Sequence, residues 1–160
     1  QQDARGLSQR LASHQFSVVL SSPLLRARQT AELAGFGAVL DTDADLMEWN
    51  HGVYEGRRTA DIRTERPGWG LYEDGCPGGE NVTDVAARAE RVISRVRAVR
   101  GDVLIFAHRD ILRVLSALWV ALPAIEGRRL YLDPASVSVL GFDHSLSEPL
   151  IRALNTSRRQ

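Results

Sequence analysis

A single cysteine, Cys76, leaves this 160-residue sequence unable to form an internal disulfide, which fits a reducing compartment such as the cytoplasm. Neither sign of charge is in excess: 20 basic and 20 acidic residues give a formal net charge of zero. Without a global field nothing draws nucleic acid or an anionic membrane, so any preference for an anion must come from a local arrangement. No apolar run is long enough to cross a bilayer as a helix. The opening QQDARGLSQRL lacks an apolar h-region and does not read as a signal peptide. Repeats, low-complexity tracts and linkers are missing, as are metal-ligand spacings, a Walker loop and a Rossmann fingerprint. What remains is ordinary globular composition, 44% apolar and 25% charged, at a length that suits one domain with its own core.

The sequence that is there alternates. A first helical segment runs to about His14, with Ala4, Leu7 and Leu11 on one face, so the chain opens inside a pattern and a preceding segment is expected. Phe16 to Leu20, FSVVL, is short, β-branched and continuously apolar, as a buried parallel strand should be. Ser22 and Pro23 suit a helix start, and LLRARQTAELA runs to Gly35. Ala38 to Leu40 is a weaker strand, and Asp41 to Gly56 is polar with few regular signals. A short helix at Thr59 to Glu65 stops before Pro67, and Gly68 to Gly79 is the most loop-like stretch. Glu80 to Arg100 is the strongest helix, with Val82, Val85, Ala86, Ala89, Val92, Ile93, Val96 and Val99 on one stripe. A strand at Val103 to Ala107 leads into a helix at Arg109 to Leu122. Strands at Ser136 to Phe142 and Leu150 to Leu154, the second at an edge, close the pattern. Strands alternating with helices predict an α/β domain, three-layer α/β/α, with a mainly parallel sheet and an antiparallel edge strand.

In such sheets ligands bind beyond the carboxyl ends of the strands. Two junctions share one grammar there: FSVVL-SSPLLR puts Arg26 in the first turn of a helix, and DVLIFA-H-RD puts His108 at the same kind of corner. A cation at a helix N-terminus is unfavourable by about 0.3–1 kcal/mol, whereas an anion is welcome. Two basic residues so placed predict a shared anion, gripped by an arginine fork and an imidazole N–H. Each also has a plainer reading. A histidine after a strand can bond a neighbouring loop, and Arg26, with Arg28 beside it, can sit on a solvated face.

A third candidate is DLMEWNHGVYEGR, Asp45 to Arg57, an irregular loop with aromatics and glycines. Glu48 follows Leu46 and Met47 and so lies at the edge of the core. A partly desolvated carboxyl there would hold its proton more tightly and could donate it. Its plainer reading is a salt bridge to an arginine. His51 and Glu55 read as structural, and Gly78-Gly79-Glu80 as a loop leading into a helix.

Together these segments resemble the histidine phosphatase superfamily, the phosphoglycerate mutase-like fold. SSPLLRARQTAEL resembles its helix with a phosphate-pocket arginine. LMEWNHGVYEGR resembles its acid-bearing loop, and DGCPGGENVTDVAARAERVI the approach to its long helix. FAHRDILRVLSALWVALP resembles the segment with its second active-site histidine, and ASVSVLGFDH a late strand. The likeness spans nearly the whole chain and is closest to the family's small bacterial and fungal phosphatases. Two departures stand out. The family's nucleophile lies in an Arg-His-Gly motif after a first strand, and none of His14, His51, His108 and His144 is in one. The resemblance therefore implies a single domain over 1–160 whose first strand and nucleophile loop are not in this sequence. Arg109 stands where relatives usually have glycine close to the phosphate.

What the resemblance implies is a phosphomonoester hydrolase of small phosphorylated metabolites, using a phosphohistidine and no cofactor or metal. Arg26, His108 and Arg109 would bind phosphate or the phosphoryl group, Glu48 would protonate the leaving alkoxide, and without its nucleophile the chain would not turn over. A phosphoglycerate mutase and a non-catalytic phosphate-binding module are the alternatives, and a homodimer is left open. Trp49, Tyr54, Trp69, Tyr72 and the region of Arg128, Arg129 and Ser136 read as packing or surface before substrate contact.

Overall fold

A computed structural model describes residues 2–157. Three parallel strands, β1 (Val18–Ser21), β2 (Leu40–Thr42) and β3 (Val103–Phe106), form a sheet in the order β2-β1-β3. The register aligns their carboxyl ends: Ser21 lies opposite both Thr42 and Phe106. Successive side chains face opposite sides of the sheet, and both sides are covered. Val19, Leu104 and Phe106 meet α1 (Gln2–Leu11) and α2 (Leu25–Leu33) through Leu7, Leu11, Ala31 and Ala34. The side chain of Ala4, expected on the same face, lies outside the described residues. Leu20 and Ile105 meet the other layer, α5 (Val82–Ala98) and α6 (Arg109–Trp119), through Val85, Val92, Ile111, Val114 and Leu115. The expected three layers are present.

The antiparallel part is a hairpin. Among the described residues β4 (Val137–Phe142) pairs only with β5 (Pro149–Thr156), as a two-stranded ladder separate from the parallel sheet. Trp119 anchors it by donating Nε1–H to the Gly141 carbonyl at 3.0 Å, and Arg97 lies over the rings of Trp119 and Phe142. Arg10 of α1 reaches the Thr156 carbonyl from the other side.

Several boundaries differ from the sequence expectation for local reasons. The weak strand moves from Ala38–Leu40 to Leu40–Thr42, because Gly37–Val39 turns as a 3₁₀ helix first. The final helix of the core stops at Trp119, before Leu122, where Ala121 takes a left-handed φ of 58°. The loop-like stretch after Gly68 holds one short helical turn, α4 (Leu71–Asp74), because Trp69 and Tyr72 insert into cores on either side of it. Between β2 and α4 lies α3 (Thr59–Glu65), at its expected position. Helix α5 begins at Val82 rather than Glu80, since Asn81 accepts from the Thr83 and Asp84 amides and Asp84 accepts from the Asn81 amide. This capping box makes Asn81→Ala cost about 1 kcal/mol, readable as a lower urea midpoint with an unchanged slope. Burial pushes the Cys76 thiol up to about 11, so it stays protonated and unreactive at neutral pH.

Candidate active site

The two junctions singled out in the sequence meet. After β1 the chain passes Ser22, Pro23 and Leu24 into α2, whose second residue is Arg26. After β3 it passes Ala107 to His108, the residue that precedes α6. The paired strand ends bring the two turns together, with the Ser22 amide donating to the Phe106 carbonyl at 2.9 Å. Arg26 Nε then donates to His108 Nδ1 at 3.0 Å. A guanidinium only donates, so Nδ1 is the acceptor nitrogen and the neutral ring carries its proton on Nε2. Nε2 lies 2.8 Å from Ser22 Oγ, which therefore accepts from it and also accepts from the Leu24 amide at 3.2 Å. Ser22 is wholly buried, and His108 is only 6% exposed.

Burial, and after it the Arg26 charge, pushes His108 down from 6.5 to about 4. The ring is neutral at physiological pH. The sign of the linkage follows: between these two values the unfolded chain binds the proton that the folded chain refuses, so stability is lost as pH falls from about 6.5 to 4. The loss is at most about 3 kcal/mol. Urea midpoints at pH 7 and 5 should show it, and His108→Gln should flatten that pH dependence.

Glu48 arrives from a different direction. The loop from Asp43 to Tyr54 turns as 3₁₀ helix at Ala44–Leu46 and Gly52–Tyr54 and is irregular between them, where Leu46 and Trp49, 0% and 1% exposed, anchor it on both sides of Glu48. Glu48 makes no ion pair with an arginine among the described residues. Its Oε1 accepts instead from three backbone amides: Trp49 at 3.0 Å, Asp110 at 3.2 Å and Ile111 at 3.3 Å. The last two are the free amides at the start of α6, the helix that His108 precedes, so the carboxyl occupies the anion-favouring end of that helix. Those bonds favour the charged form, but desolvation outweighs them and, with buried Asp110 nearby, holds Glu48 above its ordinary 4.5. With Oε1 committed to three donors, the proton belongs on Oε2, which accepts no hydrogen bond among the described residues. Such a group keeps a proton longer than an exposed glutamate and has one oxygen free to deliver it.

Arg109 occupies the first turn of α6 beside His108, yet its side chain is 59% exposed, with Nε 3.6 Å from Asp110 Oδ1. It stands at the rim and does not touch the Arg26–His108 contact. Asp110 is held by Arg113 at 3.0 Å, and Arg113 also donates to the carbonyls of Gly127 and Arg128 and lies over the Tyr72 ring. The aromatic candidates are packing: Trp49, Trp69 and Tyr72 are buried, and Tyr54 stacks edge-on against Trp69. Of the other histidines, His14 and His144 are exposed and His51 sits 3.6 Å from Glu55. Sequence reasoning missed the role of Ser22 beside His108. Its only signal was a second polar residue directly after an apolar strand.

The comparisons fit this geometry. The family model of the histidine phosphatase superfamily, branch 1, matches residues 1–156. An acid phosphatase of Mycobacterium tuberculosis is 35% identical over 139 residues, covering 86% of this chain and 68% of that protein. The solved structure of an open reading frame from Mycobacterium tuberculosis superposes with a TM-score of 0.90 at 32% identity, over 98% of this chain and 81% of that one. A mycobacterial glucosyl-3-phosphoglycerate phosphatase in complex with inorganic phosphate superposes at 0.83 with 27% identity, over 98% and 84%. With the model matched over residues 1–156, the chain belongs to branch 1 of the histidine phosphatase superfamily.

Proposed function

We propose that this protein is a phosphatase of small phosphorylated metabolites that works through a phosphohistidine, and that Arg26 and His108 receive the phosphoryl group while Glu48 faces its leaving oxygen. The observation that carries the reading is the 3.0 Å contact between Arg26 Nε and His108 Nδ1 at the carboxyl ends of β1 and β3, with Glu48 at the start of the same α6. Arg26 spends Nε on the imidazole, which leaves its terminal nitrogens as a fork for two phosphoryl oxygens. A phosphoryl dianion entering there takes the Arg26 terminal nitrogens and draws the His108 Nε2–H from Ser22, while Arg26 Nε stays on Nδ1, and the imidazole N–H then faces developing charge on phosphorus-bound oxygen. Arg109 reaches the outer oxygens from the rim, since its 3.6 Å pair with Asp110 holds it loosely.

The reaction balances in two steps. A histidine nitrogen attacks phosphorus and the P–O bond to the substrate breaks; the leaving alkoxide takes the proton from Glu48 Oε2. Water then attacks the phosphohistidine, Glu48 takes its proton, and phosphate leaves as the histidine is restored. None of the four histidines in this sequence suits the attack: three lie outside the contact and His108 is engaged at both nitrogens. The nucleophile in this reading comes on a strand from outside residues 1–160, added parallel to β3 on the edge away from β1, so that its carboxyl end falls beside His108. Rapid quench of the turning-over protein with labelled phosphomonoester tests it. A phosphoenzyme that is labile in acid and stable in base supports the reading, and turnover at full rate with no such species contradicts it.

A further inference from the structure

The loop that carries Glu48 has no helix or strand hydrogen bonds of its own at that point. Besides buried Leu46 and Trp49, one ion pair grips it. Arg88 of α5 forks onto Glu80, Nε to Oε1 at 2.7 Å and Nη2 to Oε2 at 2.9 Å. The third nitrogen of the same guanidinium donates to two loop carbonyls, Asp45 at 2.7 Å and Met47 at 2.9 Å. Glu80 completes the grip from the other side: its Oε2 accepts from the Asn50 amide at 2.8 Å, its carbonyl accepts from Trp49 Nε1 at 2.9 Å, and its amide donates to the Asn50 carbonyl at 2.9 Å. The residues immediately before and after Glu48 are thus both held by the pair, while Glu48 itself is touched by neither member. The pair is largely sheltered, with side chains 14% and 20% exposed. The backbones of 50–52 and 77–79 run so close that a Cβ at Gly52 or Gly79 would collide with main-chain atoms of the other segment. Arg91 forks onto Asp45 and Arg95 bridges Asp43 and Asp45, so this half-exposed network braces the start of the loop, three residues or more before Glu48.

We propose that the Arg88–Glu80 pair is the positioning element of the acid loop: it sets how far Glu48 sinks into its half-buried place at the start of α6, and so whether its free oxygen meets a leaving group or solvent. This rests on Glu48 being the proton donor. Arg88 and Glu80 act through the loop and do not touch the reacting atoms. Lysine cannot replace Arg88, because one ammonium cannot span a carboxylate fork and two carbonyls together.

Two readouts test the pair. In the first, ¹³C NMR follows the Glu48 carboxyl titration, assigned by its disappearance in Glu48→Gln. Arg88→Ala and Arg88→Lys should move the midpoint down towards 4.5 as the loop loosens and the carboxyl gains water. Val92→Ala, a core truncation in the same α5, should destabilise the fold and leave the midpoint in place. In the second, protein that carries the nucleophilic histidine is assayed, and turnover is compared for an alkyl phosphate, whose leaving group needs a proton, and a nitrophenyl phosphate, whose leaving group does not. Arg88→Ala should lower kcat for the alkyl ester by about 10²-fold with KM little changed, and spare the nitrophenyl ester. Equal losses on both esters with an unmoved Glu48 midpoint would overturn the proposal. Glu48→Gln in the same assay separates the two failures. If it shows the alkyl-selective loss and Arg88→Ala does not, the positioning role alone is wrong. If Glu48→Gln shows no selectivity, the proton-donor reading fails and the pair's role fails with it.

Discussion

In protein that carries the nucleophilic histidine, Glu48→Gln lowers kcat for an alkyl phosphate by about 10²–10⁴-fold, the usual worth of a positioned general acid. The substitution is gentle on the fold, because glutamine keeps a carbonyl oxygen to accept from the Trp49, Asp110 and Ile111 amides. What it removes is the proton on the other oxygen. The pH behaviour should show the same chemistry. Burial holds Glu48 above 4.5, so the alkaline limb it controls lies at higher pH than an exposed glutamate would give, and activity dependent on its proton falls as pH rises through the folded value. Stability moves in the same direction: it is lost as pH rises from 4.5 through the folded value, because over that window the unfolded chain has released the proton that the half-buried carboxyl still holds. Glu48→Gln, which resembles the protonated form, should therefore be more stable than the parent near neutral pH and no more stable in acid. Kinetics against pH and urea midpoints at two pH values check both halves.

Arg26→Ala loses phosphate binding by about 10²–10⁴-fold. The estimate comes from two charge-assisted hydrogen bonds at about 1.5–3 kcal/mol each, with every 1.4 kcal/mol worth tenfold. Isothermal titration with orthophosphate reads it directly. The fold should tolerate the change, since the Arg26 side chain is exposed apart from its contact with His108. A second sign accompanies the first. Removing the guanidinium takes away the lesser of the two causes that depress His108, so its titration should rise from about 4 while staying below 6.5, because burial remains. Arg26→Lys keeps the charge but not the fork, and should recover only part of the affinity.

The contacts that were legible in the sequence are those made by neighbours along the chain or by a regular period. The apolar run before His108 and the helical spacing after it placed the imidazole at a strand–helix corner, and the same grammar placed Arg26. Because parallel strands align their carboxyl ends, two such corners meet without any further information. The stripe on α5 was readable for the same reason, through Val85, Ala89 and Val92. What was not legible depends on partners far away in the chain. Ser22 finds His108 across 86 residues, and Glu48 finds the amides of α6 across 62 and 63. The sequence offered an arginine as the plain partner for Glu48; the folded chain gives it backbone donors, and the arginine that matters for its loop, Arg88, binds the carbonyls around it. Arg109 was placed near the phosphate by its position after His108, and the direction of its side chain was not legible; in the folded chain it is exposed, with Nε 3.6 Å from Asp110.

The claim on which all of this turns is that Arg26 and His108 hold a single phosphoryl group opposite Glu48. A crystal structure of the chain soaked with tungstate, a phosphate mimic visible by its anomalous signal, tests that most directly. The account predicts one strong peak within hydrogen-bond distance of the Arg26 terminal nitrogens and the His108 ring, with the Glu48 carboxyl across from it. A peak elsewhere on the surface, with the Arg26–His108 contact intact and nothing beside it, would contradict the account.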